Sequence, residues 1–125
     1  MYIVTVEDHF SSAHQLREYQ GKCERLHGHN WMVKVSISGN QLDQSGMLID
    51  FGIIKKELKE VLNALDHRFL NEVEPFDKIN PSAENIAFYI FNKMKEKILK
   101  DFPKVKIYRV DVWESHKSYA SYLDD

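Results

Sequence analysis

Six histidines and one cysteine carry most of the chemistry available to this chain of 125 residues, and four of the histidines (His9, His14, His27, His29) fall in its first quarter. The triplet His27-Gly28-His29 spaces two imidazoles at i and i+2. On a strand that spacing turns both to one face, roughly 6–7 Å apart, close enough to share a metal ion. Gly28 between them has no side chain to crowd the other face. If the N-terminal strand pairs with this one, His14 supplies a third nitrogen. Three histidines without a fourth protein ligand describe a catalytic zinc site whose open position takes water or substrate. The alternatives are a chance His-x-His on the surface, or a structural zinc completed by Cys23. Cys-x3-His-x-His matches no common structural zinc spacing, which argues against the latter.

Cys23 stands between Lys22 and Glu24 and near Arg25. Nearby cations favour the thiolate, the form that acts as base or nucleophile; the plain alternative is a small buried hydrophobe. Asp66-His67 sets a carboxylate beside an imidazole, an arrangement suited to proton transfer, although Asp at the end of a helix is often only a turn residue. Glu114 lies on an apolar strand face with Tyr108, Val110 and Val112. There it is either a solvated strand end or an acceptor for two parallel N–H bonds from a planar ligand edge.

The elements that must position these groups read as two strands, two helices and two strands. Tyr2 to Val6 is β-branched and aromatic, as strands prefer. Residues 29 to 38 alternate Trp31, Val33, Val35 and Ile37 against polar neighbours, the mark of a half-buried strand. Leu16 to Leu26 is a polar loop, and residues 43 to 46 signal a turn. Phe51, Ile54, Leu58, Val61, Leu62 and Leu65 share one face of a helix with Asp50 as N-cap. Ile86, Ala87, Ile90, Phe91, Met94 and Ile98 define a second helix, with Ser82 as its cap and Glu84 in its first turn. Val105 to Glu114 and Tyr119 to Leu123 are the last strands. The order ββααββ predicts an α+β fold, one domain over residues 1–125, with an antiparallel sheet and both helices on one face. The uncovered face suggests assembly into an oligomer.

Composition bounds the rest. With 43% hydrophobic residues and 17 basic against 19 acidic side chains, disorder is excluded and a nucleic-acid partner is disfavoured. No apolar run approaches a membrane span, and the first ten residues lack a basic region followed by an apolar stretch. A lone cysteine points to a reducing compartment, so a soluble cytoplasmic protein is expected.

With those residues in view, the chain resembles the 6-pyruvoyl-tetrahydropterin synthase / 6-carboxy-tetrahydropterin synthase family. The resemblance rests on Phe10 to His14, Cys23-Glu24-Arg25-Leu26-His27-Gly28-His29, Gly46 to Phe51, Leu65-Asp66-His67 with Leu70-Asn71, Pro81-Ser82-Ala83-Glu84-Asn85, and Val112-Trp113-Glu114-Ser115. These segments occur in the family's order over nearly the full length. The resemblance implies a tunnelling fold (T-fold) with a four-stranded antiparallel sheet and two helices, in trimers that pair into hexamers with active sites at subunit interfaces. It implies Zn2+ on His14, His27 and His29, Cys23 as general base, Asp66 and His67 as the acid–base pair, and Glu114 as the pterin anchor. Ser82 and Glu84 fall where the family contacts substrate, although helix capping explains them equally well.

The implied substrate is 7,8-dihydroneopterin triphosphate. The Cys-x3 spacing favours the carboxy branch, which yields 6-carboxy-5,6,7,8-tetrahydropterin, acetaldehyde and triphosphate toward queuosine. The pyruvoyl branch typically has a longer gap. The tandem Cys23-Glu24 resembles members that also form 6-hydroxymethyl-7,8-dihydropterin for folate, against the simpler reading of Glu24 as a solvated loop charge. An explanation of a different class is a non-catalytic, zinc-stabilised assembly domain with Cys23 as fourth ligand. Lys22, Arg25 and Arg68 are triphosphate candidates by charge alone, and His9 and His116 are left without a role.

Overall fold

The computed structural model describes residues 1–18 and 25–124. Cys23, Glu24 and Lys22 lie outside the described residues. The elements are β1 (Tyr2–His14), β2 (His27–Gly39), α1 (Phe51–Asn63), a single 3-10 turn (Leu70–Glu72), α2 (Ala83–Leu99), β3 (Lys106–Ser115) and β4 (Ser118–Tyr122). They form a four-stranded sheet in the order β1-β2-β3-β4, each neighbour antiparallel to the next. This is the expected α+β arrangement.

Alternation decides which face is covered. On β2, Trp31, Val33, Val35 and Ile37 are fully buried, and they oppose Phe10, Asp8, Val6 and Val4 of β1. Val33 and Val35 oppose Val112 and Val110 of β3, both also fully buried. Against this face α1 packs on β1, α2 on β3 and β4, and the two helices on each other. The helices supply Ile54, Leu58, Val61 and Leu62 from α1, and Ile86, Ala87, Ile90, Phe91, Met94 and Ile98 from α2. Both helix starts have the expected caps. The Gly52 N–H donates to Asp50 Oδ1 at 2.8 Å and the Asn85 N–H to Ser82 Oγ at 3.1 Å, each satisfying an otherwise orphaned donor.

β1 runs to His14, which places that histidine at the strand end as expected, and pairing with β2 over its whole length overrides the poor strand propensity of Glu7 and Asp8. One departure from the sequence reading has a physical cause. Tyr108 does not share the inner face with Val110 and Val112. The register slips so that Ser36 opposes Arg109 and Ile37 opposes Ile107, leaving Tyr108 as the extra residue of a bulge. Ile107 takes the core position and Tyr108 is exposed.

The uncovered face is polar and partly networked. Thr5 and Ser36 share a hydrogen bond of 2.8 Å. Arg109 donates to the Asp111 carboxylate at 2.8 and 3.0 Å and to Ser121. Trp113 stacks on Tyr119 at 4.1 Å, with the Lys34 ammonium 5.6 Å from the Trp113 ring. Among the described residues no helix is long and apolar enough to cross a membrane.

Candidate metal centre and acid–base pair

The strand register brings the three sequence-separated histidines together. His14 directly opposes His27, and Ser12 opposes His29. Side chains at alternate positions share a face, so all three imidazoles emerge on the helix-covered side, at the end of the sheet beyond Phe10 and Trp31. Their ring centroids lie 4.5 to 5.2 Å apart. His14 is fully buried and packs edge-on against Trp31 at 4.9 Å. Glu114, opposite the Trp31 end of β2, reaches the same cluster. One carboxylate oxygen lies 3.6 Å from His29 Nε2 and the other 3.9 Å from His14 Nε2. One ligand atom from each of the four residues falls within 4.8 Å of all the others.

Hydrogen bonding on the far side of two rings tests whether the cluster suits a cation. His14 Nδ1 lies 2.7 Å from the Pro81 carbonyl oxygen and His27 Nδ1 lies 2.8 Å from the Arg25 carbonyl oxygen. A carbonyl only accepts, so each Nδ1 carries the proton and donates it. The Nε2 lone pairs of His14 and His27 then face one another at 2.9 Å. Two lone pairs at that distance repel unless a positive centre lies at their focus. Tetrahedral zinc with nitrogen ligands near 2.0–2.1 Å holds neighbouring donors about 3.3 Å apart, so the arrangement needs only a small opening to fit. The carbonyls of Pro81 and Arg25 are the outer partners that metal-ligating histidines ordinarily have. The donor set fits a divalent metal of borderline softness.

Asp66 and His67 lie elsewhere on the chain. The segment after α1 runs along the outer edge of β1. The His67 N–H donates to the Ser11 carbonyl at 2.6 Å and the Ala13 N–H to the Arg68 carbonyl at 3.0 Å, with a parallel bridge between Ala13 and Phe69. Asp66 Oδ1 accepts from the Ser11 N–H at 2.9 Å while its Oδ2 lies 3.0 Å from His67 Nδ1. The Ser11 N–H, aided by His67 and opposed by partial burial, holds the Asp66 carboxyl below its ordinary value. His67 has φ of +54°, the left-handed region that few residues other than glycine occupy. That backbone turn leaves the imidazole largely exposed. The pair lines a depression with Arg68, Phe69, Glu72 and Val73, which shares no residue with the one containing His29 and Glu114.

The remaining sequence candidates divide. Ser82 is engaged as the cap of α2, and Glu84 is exposed in its first turn. Arg25 and Arg68 are exposed. His9 and His116 line the depression beside His29 and Glu114, on its sheet-face side with Lys34 and Trp113. The group that could hold a metal includes Glu114, which the sequence reading holds apart as a ligand anchor. That proximity depends on the β2–β3 register and has no signature in spacing.

Two asparagines, Asn71 and Asn80, make contacts that their sequence positions do not signal. Asn71 brackets Gln15, accepting from its N–H at 2.9 Å and donating to its carbonyl at 2.6 Å. Asn80 brackets Arg17 in the same way, at 2.7 Å in both directions. The outward-facing backbone of Ser11, Ala13, Gln15 and Arg17 is thus pinned at every second residue, extending the strand edge past His14.

Comparison with known proteins agrees with this geometry. The family described as 6-pyruvoyl tetrahydropterin synthase matches residues 3–125. The chain is 35% identical over 128 residues to the 6-carboxy-5,6,7,8-tetrahydropterin synthase of Synechocystis sp., covering 98% of this chain and 94% of the relative. It is 34% identical over 147 residues to the Haemophilus influenzae protein of the same name, covering 99% and 100%. The structure of Caenorhabditis elegans 6-pyruvoyl tetrahydropterin synthase superposes with a TM-score of 0.81 at 34% identity, covering 100% of this chain and 98% of that one. Matched over nearly its whole length, this chain belongs to the 6-pyruvoyl tetrahydropterin synthase family of enzymes.

Proposed function

We propose that the chain is a zinc-dependent 6-carboxy-5,6,7,8-tetrahydropterin synthase that converts 7,8-dihydroneopterin triphosphate and one water to 6-carboxytetrahydropterin, acetaldehyde and triphosphate. The observation that carries the metal part of this reading is the convergence of His14 and His27 Nε2 at 2.9 Å with both Nδ1 atoms committed to carbonyls. The product branch is supported by the Cys-x3-His-Gly-His spacing and by relatives that carry the 6-carboxy name.

His14, His27 and His29 would hold the zinc. Bound there, zinc supplies the Lewis acidity that makes the C–H bonds beside the substrate's side-chain oxygens easier to ionise. The residues of the chain do the rest. Cys23 takes the proton as thiolate. His67, its Nδ1 oriented by Asp66 Oδ2 at 3.0 Å, moves protons through its outward nitrogen. Glu114, within 4.8 Å of the histidine ligand atoms, would accept the N–H pair of the pterin ring and so orient the substrate. The Asp66–His67 pair lines one depression of a single copy while His29 and Glu114 line another, which supports an active site completed by a second copy. A homotrimer or hexamer in the cytoplasm, feeding queuosine synthesis, is the setting this reading expects.

Glu24 beside Cys23 supports a second product, 6-hydroxymethyl-7,8-dihydropterin, from the same substrate. Glu24→Ala separates the two, because a hydroxymethyl yield that is unchanged in the variant removes Glu24 from that route.

The test of the leading reading is acetaldehyde release. Zinc-loaded protein is expected to release it from dihydroneopterin triphosphate, and Cys23→Ala to be slower by about 100-fold or more, as for loss of a general base. Full turnover by Cys23→Ala would refute the base assignment. Loss of zinc from that variant would instead support the structural-zinc explanation.

A further inference from the structure

The carbonyl that orients His14 belongs to Pro81, and the loop around Pro81 has its own anchor. Asn80, immediately before it, grips the backbone of Arg17 with both atoms of its amide, 2.7 Å in each direction. Its own carbonyl is held from the other side, by Asn85 Nδ2 at 2.8 Å. Arg17 reinforces the tie, since its guanidinium donates to the carbonyls of Phe76 and Ile79 at 2.7 and 2.8 Å. Ser82, immediately after Pro81, is fixed as the cap of α2. The residues on both sides of the Pro81 carbonyl are thus held while that carbonyl faces His14 Nδ1 at 2.7 Å. Three residues upstream of Arg17 on the same continuous edge is His14 itself, fully buried.

We propose that Asn80 is a positioning residue for the metal centre, closing a loop of contacts in which Arg17 fixes Asn80, Asn80 fixes Pro81, and Pro81 fixes the proton-bearing nitrogen of His14. The inference rests on the reading of His14, His27 and His29 as metal ligands. The chemistry is that of an outer-shell partner at one remove. A ligand nitrogen is useful only if the opposite nitrogen keeps its proton and its direction, and removing such support typically weakens metal binding about 10- to 100-fold. Asn71 provides a matched comparison. It grips Gln15, nearer to His14 in sequence, with the same pair of bonds, but has no link to Pro81.

The experiment is zinc competition against a chromophoric chelator, run on metal-stripped wild type, Asn80→Ala, Asn71→Ala and Asn85→Ala, with thermal melts of the metal-free proteins alongside. Both Asn80→Ala and Asn71→Ala lose two hydrogen bonds to the same strand extension, so their melts are expected to fall together. Zinc affinity is expected to separate them, dropping about 10-fold or more in Asn80→Ala and changing less than about threefold in Asn71→Ala. Asn85→Ala, which leaves the grip on Arg17 intact, is expected to weaken zinc binding by a smaller factor, and it answers the question if Asn80→Ala does not fold. The proposal is overturned if Asn80→Ala and Asn85→Ala keep wild-type affinity, or if Asn71→Ala loses as much as Asn80→Ala. A wild type that binds no zinc overturns the metal reading and this inference with it. Normal zinc binding in wild type with unmoved variants overturns only the role of Asn80.

Discussion

Each of the two opposed imidazoles, His14 and His27, spends one nitrogen on a backbone carbonyl, which is why the other is available for chemistry. At this scale the sequence was informative wherever a residue acts through its position on a strand. His27 and His29 share a face because the strand period is two, and that much follows from spacing. Glu114 joining the cluster, and Asn71 and Asn80 bracketing residues 56 and 63 positions away, depend on tertiary register and on backbone bonds. Such contacts leave no periodic trace. Asp66 gives a prediction here. Its carboxyl is held below the ordinary value of 3.8, first by the Ser11 N–H and then by His67. A depressed carboxyl stabilises the fold above its unfolded-state value and ceases to do so as pH falls through the folded-state value. Asp66→Asn cannot titrate. The difference in urea midpoint between wild type and Asp66→Asn is therefore expected to be constant near neutrality and to shrink below about pH 4. A difference unchanged down to about pH 3 would contradict the Asp66 contacts.

The elements were legible where one force dominates. Both helices could be read because an apolar stripe and a capping residue agreed, and the structure has Asp50 and Ser82 in those capping positions. In β1 the strand signal lies in Tyr2 to Val6, while Glu7 and Asp8 beyond it have low strand propensity that a full-length partner strand overrides. The bulge at Tyr108 was invisible because both Tyr108 and Ile107 are plausible core residues and only pairing with β2 chooses between them. Ser82 is the element-level test. The resemblance implies substrate contact, whereas its hydroxyl accepts from the Asn85 N–H at 3.1 Å. Ser82→Ala is expected to cost about 1 kcal/mol of stability with KM unchanged, as for loss of a helix cap. A raised KM at unchanged stability would return Ser82 to the substrate.

At the scale of the molecule, one copy of the chain presents two chemically distinct depressions, one with His29 and Glu114 and one with Asp66 and His67. The proposed function joins them across an interface between copies, and that proposal has its own test. Cys23→Ala and His67→Ala proteins, each nearly inactive alone, are expected to regain part of the wild-type rate when co-assembled, since some interfaces then contain one intact half from each. No recovery in verified mixed oligomers would mean that each copy works alone. The proposed reaction is checked by incubating zinc-loaded protein with 7,8-dihydroneopterin triphosphate and identifying the pterin product by mass spectrometry. The expected product is 6-carboxy-5,6,7,8-tetrahydropterin, formed in step with acetaldehyde and absent after chelation. A sole product of 6-pyruvoyl-tetrahydropterin or 6-hydroxymethyl-7,8-dihydropterin, or turnover that survives complete removal of metal, would contradict it.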